Sequence, residues 1–168
     1  SELYIAVDAI VKQLDEIDQV NEELAPFRIL TGMEVDILED GALDQDLDLL
    51  ERLDVVVASV HSKLRMAEQE MTRRMVLAVA SPHVDILGHC TGRKVVGTGR
   101  PQSQFDADIV FAACARFDTA VEINCRPERQ DPPADVHRDL RGVRAGDLER
   151  AAPERAALHD VARRDEGG

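Results

Sequence analysis

Apolar and polar residues alternate in the segment GMEVDIL near the start of the chain. This period of two predicts a β-strand, with Met33, Val35 and Ile37 on one face and Glu34 and Asp36 on the other. A carboxylate in the middle of such a strand, between branched apolar residues, suggests a chemical role. Glu34 is therefore the first candidate functional residue.

Two later apolar runs each end in a histidine. The run LDVVVASV at 53–60 is followed by His61, and VDILG at 84–88 is followed by His89. Glu34 and His61 are 27 positions apart, and His61 and His89 are 28 apart. Since a βα unit takes about 30 residues, the three groups recur once per unit, each in or just past a strand.

The remaining pattern alternates helices with strands. Predicted helices lie at 3–24, 43–53, 68–80 and 105–116, and predicted strands at 27–38, 53–60, 84–88 and 119–124. In the second helix, Leu47 and Leu50 are expected to face the core. Regular alternation of this kind predicts an α/β fold with a parallel sheet.

Composition narrows the class of protein. The chain of 168 residues has a net charge of −13, which argues against nonspecific nucleic-acid binding by the whole surface but leaves a local basic pocket open. Its three cysteines, Cys90, Cys114 and Cys125, form no CxxC pair. An odd number of cysteines without such a pair indicates a reduced, cytoplasmic protein. No apolar run reaches the ~18 residues that a membrane span requires.

The recurrence of Glu34, His61 and His89 predicts a metal site. In a barrel of βα units, reactive groups gather at the carboxyl ends of the strands, so three strands can direct these side chains to one point. Imidazole and carboxylate groups suit Zn, Mn or Fe, which activate water and polarise phosphoryl oxygens. Taken singly, the glutamate could be an ion-paired strand residue and each histidine a loop residue. Their common position in the repeat favours the metal site.

Four motifs in order resemble the PHP family, the polymerase and histidinol phosphatase domains: TGMEVDILEDGALD, LDVVVASVHSKL with MTRRM, HVDILGHCTGR and VEINCRPERQDPP. The likeness covers roughly residues 10–133 and is greatest to the PHP domains of bacterial family-X DNA polymerases and their stand-alone relatives. It implies a distorted (β/α)7 barrel of the TIM type, of which this chain holds a part, with up to three metal ions for phosphoester hydrolysis. By this resemblance Glu34 is the metal-bridging glutamate of G-x-E, His61 the histidine of S-V-H and His89 that of L-G-H.

Three further residues are candidates around that site. Arg93, in the loop GHCTGR, is positioned to bind a phosphate, although it could equally be a solvated loop arginine. Glu122 and Asn124, at the end of TAVEIN, are expected to shape the mouth of the pocket. No side chain is expected to act as nucleophile, because the resemblance implies hydrolysis by metal-activated hydroxide.

The chain also departs from the family pattern. The H-x-H and T-D-H motifs that open the family do not occur, and Asp135-Val136-His137 spells the closing D-x-H without an apolar strand before it. We therefore expect a partial PHP domain at 1–130 and a divergent, irregular or short-helical tail at 131–168. The chain looks truncated in front, and the composition of the tail is what a GC-rich gene read out of frame would give.

Three functions remain open at this stage. The first is a metal-dependent phosphoesterase acting on a histidinol-phosphate-like small molecule or a DNA 3′ end. The second is a catalytically inactive PHP fragment that lacks the H-x-H, T-D-H and D-x-H ligands. The third is an interaction module whose open sheet edges, near Phe27 and Thr119, pair with another chain.

Overall fold

The computed structural model describes residues 2–136, and the predicted tail beyond them, with His137 of the D-x-H triplet, lies outside the described residues. Helices and strands alternate as predicted. The helices are α1 (Glu2–Leu24), α2 (Leu47–Leu50), α3 (Glu68–Val79) and α4 (Ala107–Arg116), and the strands are β1 (Gly32–Asp36), β2 (Val55–Ser59), β3 (Ile86–Leu87) and β4 (Ala120–Val121). Among the described helices, none combines the length and the hydropathy that a membrane span requires.

The four strands form one parallel sheet in the order β1-β2-β3-β4. Glu34 pairs with Val57, Val57 with Ile86 and Ile86 with Ala120, so these four residues form one row across the sheet. Each strand lies beside the next one in sequence, with connections that cross over the sheet, as in the wall of an α/β barrel. The predicted fold class is confirmed: the chain is α/β, with a parallel sheet compatible with part of such a barrel.

The core lies on the sheet face opposite Glu34. It is built by alternate strand residues and by the inner faces of α3 and α4, and its most buried members include Val35, Ile37, Val56, Ala58, Leu87, Met71, Met75, Ala78, Val79, Val110, Phe111 and Cys114. Since successive strand residues point to opposite faces, Glu34 and Asp36 must then face away from this core. The alternation in GMEVDIL predicted this arrangement.

The segment after β1 differs from the prediction. A bridge between Ile37 and Leu43 and a hydrogen bond from the Leu38 N–H to the Ala42 carbonyl fold residues 37–43 into a tight reversal. Helix α2 therefore begins only at Leu47 and spans four residues. Its inward side chains are Leu49 and Leu50, whereas Leu47 is 59% exposed, so the predicted inward position of Leu47 was wrong.

Asp131, the first residue of the predicted tail, packs with the α/β unit. Its side chain is 1% exposed, and its Oδ1 accepts the backbone N–H of Thr91 at 3.0 Å. Its own backbone exchanges two hydrogen bonds with that of Asn124, at 2.7 and 3.1 Å. These contacts hold the segment after β4 against the loop after β3.

Candidate metal centre

Glu34, His61 and His89 converge at the carboxyl end of the sheet. Glu34 lies in the middle of β1, His61 two residues past the end of β2 and His89 two residues past the end of β3. One potential ligand atom from each residue lies within 4.8 Å of the other two. The parallel order of the three strands is what brings residues from three separate βα units to one edge.

The distances within this cluster suit a metal ion. His61 Nε2 lies 3.3 Å from Glu34 Oε1 and 3.2 Å from His89 Nε2. Ligand atoms bound tetrahedrally to one zinc ion at about 2 Å lie about 3.3 Å apart, so the two separations around His61 match a shared cation. Glu34 Oε1 lies 3.6 Å from the other ring nitrogen of His89, Nδ1. Two imidazole nitrogens and a carboxylate oxygen form a donor set that suits Zn, Mn or Fe.

Asp36 contacts the imidazole of His61 from the side opposite the cluster. Its Oδ1 pairs with Nδ1 of His61, which leaves Nε2 facing Glu34. A carboxylate on the far nitrogen fixes the ring orientation and the tautomer of a metal-binding histidine. Asp36 was not among the predicted site residues, although its place on the same strand face as Glu34 could have indicated it.

Glu122 and Asn124 support His89. Glu122 Oε2 accepts the backbone N–H of His89 at 2.6 Å and lies 3.5 Å from its Nδ1. The other oxygen, Oε1, accepts a hydrogen bond from Asn124 Nδ2 at 3.1 Å. The structure thus places both residues beside the cluster, where the sequence analysis expected them to shape the pocket.

Gly88 allows the strands to approach closely at this level of the sheet. A Cβ atom built on Gly88 would lie 2.3 Å from Ser59 Oγ and 3.6 Å from Glu122 Oε2. The hydroxyl of Ser59 is fully buried and has no hydrogen-bond partner among the described residues. The glycine therefore gives space to the side chain of Ser59 in β2 and to that of Glu122 just after β4, directly before His89.

The environment of His89 favours its neutral form. Burial lowers the pKa of His89 below its ordinary value of 6.5; Arg129 and His61 act in the same direction, while Glu34 and Glu122 oppose them. A histidine must be deprotonated at the nitrogen that binds a metal. A lowered pKa thus reduces the competition between protons and a metal ion at this ring.

A cavity of about 490 Å³ opens beside the cluster. It is lined by Glu34, Val57, Ile86, His89, Glu122, Asn124, Arg126 and Arg129. Arg126 and Arg129 bring positive charge to a wall that otherwise carries two carboxylates. Nη1 of Arg129 is buried and has no hydrogen-bond partner among the described residues. Neither arginine was among the predicted site residues, although, like the histidines, both follow the end of a strand.

Arg93 lies outside the lining of this cavity. Its Nε donates to the backbone carbonyl of Arg129 at 3.0 Å, and its side chain lines a separate cavity of about 390 Å³ together with Lys94 and Arg100. The structure therefore brings Arg93 to the backbone that carries Arg129, not to the cluster itself. Its predicted contact with a phosphate stays a prediction.

Comparison with known proteins gives relatives of two kinds. The chain is 39% identical over 127 residues to the DNA polymerase/3′-5′ exonuclease PolX of Bacillus subtilis, a match that covers 76% of this chain and 22% of that protein. It is 29% identical over 109 residues to a probable phosphatase of Caldanaerobacter subterraneus and 32% identical over 107 residues to one of Thermoanaerobacter sp. strain X514. These two matches cover 62% and 61% of this chain and 40% of each phosphatase.

The chain thus spans less than half the length of each of these relatives. No family model matches it. The relatives nevertheless combine a family-X polymerase with phosphatases, which is the combination that the four motifs predict. They confirm the resemblance of this chain to the PHP family.

Proposed function

We propose that this chain carries the metal centre of a phosphoesterase, with Glu34, His61 and His89 as ligands of Zn, Mn or Fe. The observation that carries the proposal is the convergence of the three side chains, with separations of 3.2 and 3.3 Å around His61 Nε2. PHP-type relatives that include phosphatases support the same chemistry. A divalent ion held there would supply an activated water and polarise a phosphoryl oxygen.

The residues around the proposed ligands hold them in the orientation that metal binding requires. Asp36 holds the ring of His61 with Nε2 turned inward, and Glu122 holds the backbone of His89. Both contacts fix the ligands before an ion arrives, so less ordering is needed when it binds. Asn124 in turn restrains the carboxylate of Glu122. No side chain is assigned as nucleophile, and water is the attacking group.

The phosphoryl group is proposed to bind in the arginine-lined cavity. Guanidinium groups match the oxygens of a phosphate with two parallel hydrogen bonds. Arg129 borders the same cavity as Glu34 and His89, and Arg126 adds a second cation there. Arg93, through the carbonyl of Arg129, supports the backbone at this position. The cations would stabilise negative charge as it develops on the phosphoryl oxygens.

The substrate is proposed to be a phosphoester, either a small molecule or a DNA end. PolX carries a 3′-5′ exonuclease in its name and the shorter relatives are probable phosphatases, so the relatives support both classes. The three cysteines are all unpaired, which supports a cytoplasmic location.

The alternative is a catalytically inactive chain that retains the cluster. The reason to consider it is that the described residues bring three potential ligands to the cluster, whereas the PHP resemblance implies further ligands from the H-x-H, T-D-H and D-x-H motifs for up to three ions.

Hydrolysis of p-nitrophenyl phosphate and bis-p-nitrophenyl phosphate distinguishes these possibilities. The wild-type protein should hydrolyse one of them with Zn, Mn or Fe and lose the activity with a chelator. Glu34→Gln should abolish the reaction, and Arg129→Gln should lower kcat/KM. Arg116→Gln, on the exposed side of α4, is the matched control for arginine and should leave the rate unchanged. Metal binding without hydrolysis of either ester would favour the inactive alternative.

A further inference from the structure

Arg74 is a buried arginine outside the candidate metal centre. It lies in α3, the helix that follows β2, and its side chain is 1% exposed. Charged side chains are rarely buried to this extent unless they are fully paired. Its neighbour in sequence, Arg73, is exposed on the same helix. The buried guanidinium of Arg74 therefore requires hydrogen-bond partners within the protein.

All five N–H groups of the Arg74 guanidinium have a partner. Nε donates to the Leu38 carbonyl at 2.8 Å, and Nη2 donates to the Ile37 carbonyl and to Ser62 Oγ, the latter at 3.3 Å. Nη1 donates to the Ser62 carbonyl at 2.9 Å and to Met66 Sδ at 3.3 Å. An arginine has five N–H donors in a rigid, planar arrangement, so this group is saturated.

These acceptors belong to two loops at the carboxyl end of the sheet. Ile37 and Leu38 directly follow Asp36, and Ser62 directly follows His61. Asp36 and His61 are themselves in contact. The guanidinium thus joins the backbone just after β1 to the backbone just after β2, at the residues that directly follow Asp36 and His61.

We infer that Arg74 is a positioning residue for the proposed metal centre, acting through the backbone of Ile37 and Ser62 to hold His61 against Asp36. The inference rests on the proposed function. Stability alone is a weak reason for such a residue, because a buried charge can often be replaced by a well-packed apolar side chain without loss of stability. A planar guanidinium that donates to three carbonyls of two loops, by contrast, fixes the position of one loop relative to the other. The ammonium group of lysine cannot reproduce this geometry.

The test compares Arg74→Met and Arg74→Lys with wild type and with the exposed control Arg73→Met. Hydrogen–deuterium exchange of the metal-free proteins measures the backbone at 37–42 and 61–66, with β2 as internal reference. Titration with Zn, Mn and Fe measures metal affinity. We expect faster exchange in both loops of the two Arg74 variants, unchanged exchange in β2, and affinity lower by roughly 10-fold or more. Arg73→Met should match wild type.

Three outcomes would overturn the inference. They are unchanged exchange in both loops, a uniform rise in exchange that includes β2, and unchanged metal affinity despite loosened loops. The second would make Arg74 a general stabilising residue, and Arg74→Lys is included because it keeps the charge if Arg74→Met does not fold. A wild-type protein that binds none of the ions would contradict the proposed function instead, and the exchange data would still decide whether Arg74 fixes the loops.

Discussion

His61 Nε2 and His89 Nε2 lie 3.2 Å apart, although the two residues follow different strands. Two protonated imidazoles at this distance would repel each other, and the proximity of His61 contributes to the lowered pKa of His89. Two neutral rings, by contrast, present lone pairs to a cation placed between them and Glu34. The arrangement of the two rings therefore supports the proposed metal centre.

Replacement of Asp36 by asparagine should weaken metal binding without unfolding the protein. The amide keeps the shape of the side chain but removes the charge that holds Nδ1 of His61. The loss of such an outer partner lowers metal affinity by roughly 10-fold to 100-fold. Isothermal titration with zinc measures the change, with Asp48→Asn, at an exposed position of α2, as the matched control. Equal affinities in the two variants would show that Asp36 does not orient the ligand.

Replacement of Gly88 by alanine should destabilise the fold beside the site. The new Cβ would lie 2.3 Å from Ser59 Oγ and 2.9 Å from Val57 Cγ1, so the strands must shift. Overpacking of this kind costs about 1–3 kcal/mol in the free energy of unfolding. Urea denaturation measures the loss.

Ser59→Ala provides the control for this substitution. It removes the hydroxyl that the new methyl group meets, while the contact with Val57 stays. The double variant should therefore recover part of the stability that Gly88→Ala loses. If the changes in unfolding free energy of Gly88→Ala and Ser59→Ala simply add in the double variant, the two side chains do not contact each other, contrary to the structure.

The stability of the metal-free protein should fall as the solution becomes acidic. Burial lowers the pKa of His89 in the folded state, so the unfolded chain takes up a proton more readily. This contribution to stability is fully present above the ordinary pKa of 6.5 and is lost as the pH falls below it. Urea denaturation at about pH 7.5 and about pH 5.5 should show the decrease, and a smaller one in His89→Gln. An equal decrease in the variant would assign the effect to other groups.

The sequence could predict the sheet because its signals are local and strong. Alternation in GMEVDIL and the continuous apolar run before His61 reflect burial on one face or both, and the structure has β1 and β2 there. The start of α2 and the side chains that it directs to the core could not be predicted in the same way. The reversal at residues 37–43 depends on a bridge between Ile37 and Leu43 that periodicity does not encode. The helix therefore starts later than its leucines suggested.

The site could be predicted in part for the same reason. Glu34, His61 and His89 each stand out against an apolar strand, and parallel pairing then brings them together. Asp36 was placed on the right face but received no role, because its partner His61 is distant in sequence. The position of Arg129 depends on the turn after β4, which Asp131 holds in place through its contact with Thr91. Such contacts between loops carry no periodic signal.

Metal binding by the purified chain is the property on which every proposed role around Glu34 depends. Wild type and Glu34→Ala are incubated with Zn, Mn and Fe, freed of unbound ions and measured by plasma mass spectrometry, with circular dichroism to confirm that both are folded. Wild type should retain one of these metals in near-stoichiometric amount, and Glu34→Ala should lose it. A folded wild-type protein that retains none of them, or a variant that retains as much as wild type, would contradict the proposed metal centre.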